Sequence, residues 1–145
     1  MANRIDIRLQ QARAVGATVV APFLTVGFPD VETSISLAAA ILRSGGDMLE
    51  LGVPFSDPLA DGATIQRATF HALQQGVTLR GCLGACTTLR EQGIEVPLVL
   101  MGYYNPVYAY GLDSFARDAA AAGVDGLIVV DLPSEEVSPL REACE

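Results

Sequence analysis

The chain has no lysine: all nine of its basic residues are arginine, against 17 acidic ones in 145 residues. An aldolase that works through a Schiff base needs a lysine amine, so that chemistry is excluded for this segment. Histidine is nearly absent as well. With His71 alone, a metal-dependent aldolase lacks its ligand set, and His71 is expected to pack or face solvent instead of binding metal. The three cysteines, Cys82, Cys86 and Cys144, form no CxxC pair and read as small apolar residues. The net charge of −8 argues against nucleic acid and anionic membrane surfaces as partners. No apolar run approaches the roughly 20 residues of a membrane span, and no signal-peptide core follows Met1, so a cytoplasmic location is expected. A G-x-G-x-x-G loop after the first strand is missing too, which weighs against a dinucleotide-binding fold.

What remains is a mostly apolar chain with 18% charged residues, alternating short apolar runs with longer helical stretches. Thr18 to Leu24, Met48 to Leu51, Pro97 to Met101 and Gly126 to Val130 are nearly continuously apolar, as parallel strands buried on both faces are. A helix using Ile5, Leu9 and Ala12 precedes them. Asp30 caps a helix that stops at Gly45-Gly46, and Thr64 to Gln75 and Thr78 to Gln92 form two more. Leu112 to Ala122 follows the third strand, and Ser134 offers the cap of a last helix. An open doubly wound sheet and part of a (β/α)8 barrel both fit this order. A full barrel needs about 250 residues. The expectation is an α/β fold of (β/α)8 type with only the first four βα units, a half barrel filling residues 1–145 as one domain without an internal boundary.

The stretch with most chemistry runs from Asp47 to Gln66. Glu50 interrupts an apolar strand, with Leu49 and Leu51 pointing to the opposite face, toward helices. That sends Glu50 into the barrel, where desolvation would raise its pKa toward neutrality and suit it to both donate and accept a proton. A structural ion pair with an arginine is the alternative. The strand leads into a loop stiffened by Pro54 and Pro58, with Asp61 at its far end. Asp61 could cap the next helix and Asp57 could be a turn residue. Yet loops at the C-terminal ends of barrel strands are where catalytic groups sit, and two carboxylates in different settings can divide acid and base roles.

The segment LELGVPFSDPLADG is similar to a signature of the tryptophan synthase alpha chain family. PFLTVGFPD (22–30), LMGYYNPVYAYG (100–111) and AAGVDGLIVVDLP (121–133) continue the likeness along the whole chain, as the N-terminal half of that family. The resemblance implies a carbon–carbon lyase without cofactor or metal, which splits indole-3-glycerol phosphate into indole and glyceraldehyde 3-phosphate in tryptophan biosynthesis. Glu50 matches the general acid/base, and Asp61 the acid that stabilises positive charge on the indole nitrogen. Phe23, Ala60, Met101, Tyr103, Ile128 and Val130 match substrate-binding positions, although ordinary barrel core explains the apolar ones equally well. Thr25 and Asp131 match polar positions at the mouth. Pro54, Asp57, Pro58 and Asn105 match a surface facing the tryptophan synthase beta chain. The family's phosphate loops lie in a second half that has no counterpart here, so activity of this chain alone is not expected, and self-association of the half barrel is. A non-catalytic half barrel serving assembly is the second reading.

Overall fold

The computed structural model describes residues 3–145. Asn3 opens helix α1 (Arg4–Ala14) with a capping box: its side chain accepts the Asp6 N–H at 3.0 Å, and the Asp6 carboxylate accepts the Asn3 N–H at 3.4 Å. Four strands follow, β1 (Phe23–Thr25), β2 (Leu49–Gly52), β3 (Leu98–Gly102) and β4 (Gly126–Val129), all parallel and in the order β1-β2-β3-β4. Helices α2 (Val31–Arg43), α3 (Ala63–Gln74), α4 (Leu79–Glu91), α5 (Tyr104–Tyr110) and α6 (Leu112–Ala121) connect them, and α7 (Ser138–Cys144) closes the series. This is a half barrel.

Pairing aligns Leu24, Leu51, Leu100 and Leu127 across the sheet. This row faces the helices and packs with Ala38, Leu42, Cys86, Leu89 and Phe115 into one core. Burial pushes the Cys82 and Cys86 thiols up to about 12, as fits inert apolar packing. His71 lies exposed, with Nε2 2.8 Å from the Pro29 carbonyl oxygen and its ring edge-on to Phe28.

Three local expectations need correction. The first strand is confined to three residues, Phe23–Thr25, not Thr18 to Leu24; only there does β2 lie alongside. The aromatic run after β3 forms the extra helix α5, separated from α6 by Gly111 at φ +90°, a backbone region that favours glycine. Ser134 begins a short 3-10 turn (Ser134–Glu136), and the helix proper starts at Ser138, with Pro139 in its first turn, where a missing N–H costs nothing.

Charge braces the N-terminal ends of the strands. Asp47, just before β2, pairs with Arg8 of α1 and accepts the Val20 N–H at 2.7 Å. Asp125, just before β4, takes Arg4 at 3.0 Å, Arg90 at 2.6 Å and the Leu98 N–H at 2.9 Å. Arg90 also donates to the carbonyls of Gly123, Ile94 and Val96, so one guanidinium ties α4 to the entries of β3 and β4. The Asp125 side chain is only 5% exposed. Removing one member of such a pair strands the other, so Asp125→Ala is expected to cost about 3–5 kcal/mol. Urea unfolding measures it, and an unchanged midpoint would mean the brace is idle.

Candidate functional site

Equal register places Phe23, Glu50, Val99 and Gly126 side by side on the sheet face away from the helices, with Thr25, Gly52, Met101 and Ile128 in the next layer toward the C-terminal ends. Glu50 is half-buried between the fully buried Leu49 and Leu51, so the open face leaves its carboxylate wetter than a closed barrel interior would. Among the described residues no ion pair or hydrogen bond engages that carboxylate. Its backbone N–H donates to Pro22 at 2.8 Å, as the ladder requires.

Gly52 is a residue that sequence reasoning passed over. A Cβ there would stand 2.5 Å from Cζ of Phe23, so the missing side chain is the space in which the Phe23 ring lies. Its signal was available: a glycine two residues beyond Glu50, hence on the same face, inside a strand that otherwise gains nothing from glycine.

Above this layer a narrow pocket is lined by Phe23, Asp61, Met101, Tyr103 and Val130, together with Gly52, Ile65 and Thr69. Five residues picked from sequence therefore converge, from β1, β3, the end of β4 and the β2–α3 loop. Ile65 and Thr69 were missed because they come from the face of α3 that turns back over the sheet, which no strand pattern reveals. Thr25 is buried at the end of β1, and Ile128 stands outside the pocket, 38% exposed on the open face.

Asp61 does not cap α3. The capping position is Gly62, and no side chain accepts a helix N–H there. Its carboxylate is left for the pocket, while its main chain is fixed by an N–H donated to Pro58 at 3.1 Å and a carbonyl accepting Gln66 at 2.9 Å. Asp57 behaves as a turn residue, exposed and accepting the Ser56 hydroxyl at 2.6 Å. Ala60 donates its N–H to the Tyr103 hydroxyl at 2.9 Å. Burial pushes the Tyr103 phenol up, and the nearby charges of Asp61 and Asp131 push it further. Asp131, exposed at the exit of β4, accepts the Tyr104 N–H at 2.7 Å and so holds the start of α5. Pro54 is buried and Pro58 half-buried, so the surface this end presents comes from Asp57, Asn105 and the fully projecting Leu59.

The slot is thus largely apolar, with the Asp61 carboxylate and the Tyr103 phenol in its lining; Glu50 lies on the same sheet face one layer below and is not part of that lining. A methyl group at position 52 would collide with Phe23, and overpacking of this kind costs about 1–3 kcal/mol. Gly52→Ala should lower the thermal midpoint accordingly, whereas Gly84→Ala, whose Cβ would meet open space, should not. Equal effects would show that Phe23 lies elsewhere.

Residues 9–145 match the family model described as the tryptophan synthase alpha chain. The tryptophan synthase alpha chain of Roseiflexus castenholzii is 51% identical over 98% of this chain and 54% of its own length. That of Phenylobacterium zucineum is 46% identical over 98% and 51%. Tryptophan synthase subunit alpha from Legionella pneumophila superposes with a TM-score of 0.96 at 42% identity, covering 99% of this chain and 55% of that one. A chain of Mycobacterium tuberculosis tryptophan synthase gives 0.92 at 42%, covering 98% and 56%. The chain spans about half the length of the curated relatives it matches.

Proposed function

The chain belongs to the tryptophan synthase alpha chain family, and from that premise we propose that it carries the proton-transfer half of a lyase site for indole-3-glycerol phosphate. Glu50 gives a proton to indole carbon 3, and Asp61 stabilises the positive charge that then appears on the ring nitrogen. Glu50 next takes the proton of the side-chain hydroxyl. The carbon–carbon bond breaks as that carbonyl forms, its electrons return to the ring, and indole and glyceraldehyde 3-phosphate leave. One proton is added and one removed, so no oxidant, metal or cofactor is called for.

The observation that carries the reading is Asp61, free of any capping role, in an apolar slot with Phe23, Met101, Tyr103 and Val130. Ala60, Thr25, Ile128 and Asp131 belong to the same reading as binding groups. The exposed loop with Asp57, Pro58 and Asn105, over the buried Pro54, is the proposed face for the tryptophan synthase beta chain. The location proposed is cytoplasmic; among the described residues no helix is long and apolar enough to cross a membrane.

Remote phosphate binding supplies much of the energy that fixes such a substrate. No lysine is available here, and no glycine-rich loop follows a strand to cradle phosphate. This chain alone should therefore release little indole, and adding the remaining length of a relative as a separate chain should restore turnover. In that completed enzyme Glu50→Gln and Asp61→Asn should each lower indole release by about 10²–10⁴-fold, the range for a lost proton-transfer group. Near-normal rates in either variant would remove that residue from the mechanism.

A second reading, a half barrel that serves assembly, draws on the open sheet face. Phe23, Met48 and Met101 are only half-buried there, Ile128 is exposed, and β1 and β4 each have one partner strand. Unpaired edges and apolar faces invite another chain. Light scattering at micromolar concentration should find a dimer or larger species; a monodisperse monomer would refute self-association.

A further inference from the structure

We propose that Tyr103 is a positioning residue, whose phenol holds the β2–α3 loop through the Ala60 N–H and so sets Asp61 against the pocket. The inference rests on the role given to Asp61 above and names what keeps that carboxylate in place.

The loop between β2 and α3 has little else to hold it over the sheet. Its crest is exposed at Ser56, Asp57 and Ala60, and Leu59 projects with 92% of its surface in solvent. Apolar anchoring is limited to the buried Pro54 and the half-buried Phe55 and Pro58, and none comes from the crest residues themselves. The hydrogen bonds inside the loop, Leu59 N–H to Asp57 at 2.9 Å and Asp61 N–H to Pro58 at 3.1 Å, shape the turn without fixing where the turn sits. Gln66 grips the carbonyls of Asp61 and Pro58, but Gln66 belongs to α3 and would travel with the loop.

Among the described residues Tyr103 alone reaches the crest from the sheet by a side-chain hydrogen bond, across 43 positions of sequence. It is well built for this. It follows β3 directly, is only 6% exposed, and its ring rests against Phe55 at 5.2 Å between centroids. A buried ring with two side-chain torsions is a rigid post, and its hydroxyl accepts the amide of the residue immediately before Asp61. Consecutive Cα atoms are about 3.8 Å apart, so holding Ala60 leaves Asp61 little freedom. The hydroxyl oxygen serves Ala60, and the phenol shares the pocket with Asp61, which adds to burial in pushing the phenol pKa up. The ring packs; the hydroxyl positions.

Tyr103→Phe separates these two functions, because it keeps the ring and deletes the acceptor. In this chain, amide hydrogen exchange at Ala60 and its loop neighbours should quicken by about fivefold to tenfold, the worth of one hydrogen bond, while amides of β2, β3 and α4 keep their protection. Unchanged loop exchange would overturn the proposal. A second measurement does not depend on how that variant folds. In Asp61→Asn, the Tyr103 phenol, followed by its labelled ring-carbon resonance, should ionise at lower pH, while Tyr110, whose partner is Asp118, should not move. A Tyr103 titration indifferent to Asp61 would equally overturn it. In the completed enzyme, Tyr103→Phe should lower kcat with KM little changed, the mark of a group placing a catalytic residue; a rise in KM alone would make Tyr103 a binding surface only. If both spectroscopic results appear but Asp61→Asn keeps normal indole release, the tether stands and the catalytic reading of Asp61 falls.

Discussion

Parallel pairing in equal register is the constraint on which the remaining features depend. Side chains alternate faces along a strand, so a slip of one residue exchanges the whole set between core and open face. As paired, the leucines of all four strands form one row beneath the helices, and Phe23, Glu50 and Val99 form another on the far side. A slip in β2 would drive the Glu50 carboxylate among Leu89, Leu98 and Leu100, where an unpaired charge costs several kcal/mol or is neutralised. The same register that completes the core thus delivers the carboxylate to the face where a ligand can meet it. Stability and the site are consequences of one alignment.

The two ends of the sheet divide the work. At the N-terminal ends the acids are paired: Asp47 with Arg8, and Asp125 with Arg4 and Arg90. On the open face and in the loop beyond β2, Glu50 and Asp61 find no basic partner among the described residues, although the chain carries nine arginines. Residue type is the same at both ends, and the partner decides the role. At one end the carboxylates are committed to ion pairs that hold the fold together.

The openness of the sheet bears on the proposed proton transfer. Carboxylates become good proton relays when water is kept from them, because desolvation moves their proton affinity toward neutral pH. Glu50 stands half-buried on the open face, whereas Tyr103 is enclosed against Phe55, and burial pushes its phenol up. The Legionella pneumophila subunit, about twice this length, superposes on this half at a TM-score of 0.96, so the backbone shape of the half barrel matches that of a longer protein.

Much of this was legible from residue order. Strands β2, β3 and β4 fall within a residue or two of their apolar runs, since a strand buried on both faces needs an unbroken series of large side chains. The placement of Glu50 opposite Leu49 and Leu51 followed from period two alone, and the family followed from motifs dense enough to be recognised. Other features belong to tertiary structure. Thr18 to Pro22 is as apolar as a strand, yet pairing depends on where a neighbour lies, and β2 reaches only Phe23 to Thr25. Asp61 reads as a helix cap until Gly62 takes that position, and Tyr103 reads as packing until Ala60, 43 residues earlier, donates to its hydroxyl. Local propensity and periodicity act over a few residues, so the sequence by itself determined the elements and the direction of their side chains. Which polar atoms meet across the fold, and which carboxylates are left without a partner, only the assembled sheet and its loops decide, because those distances do not exist until the strands pair.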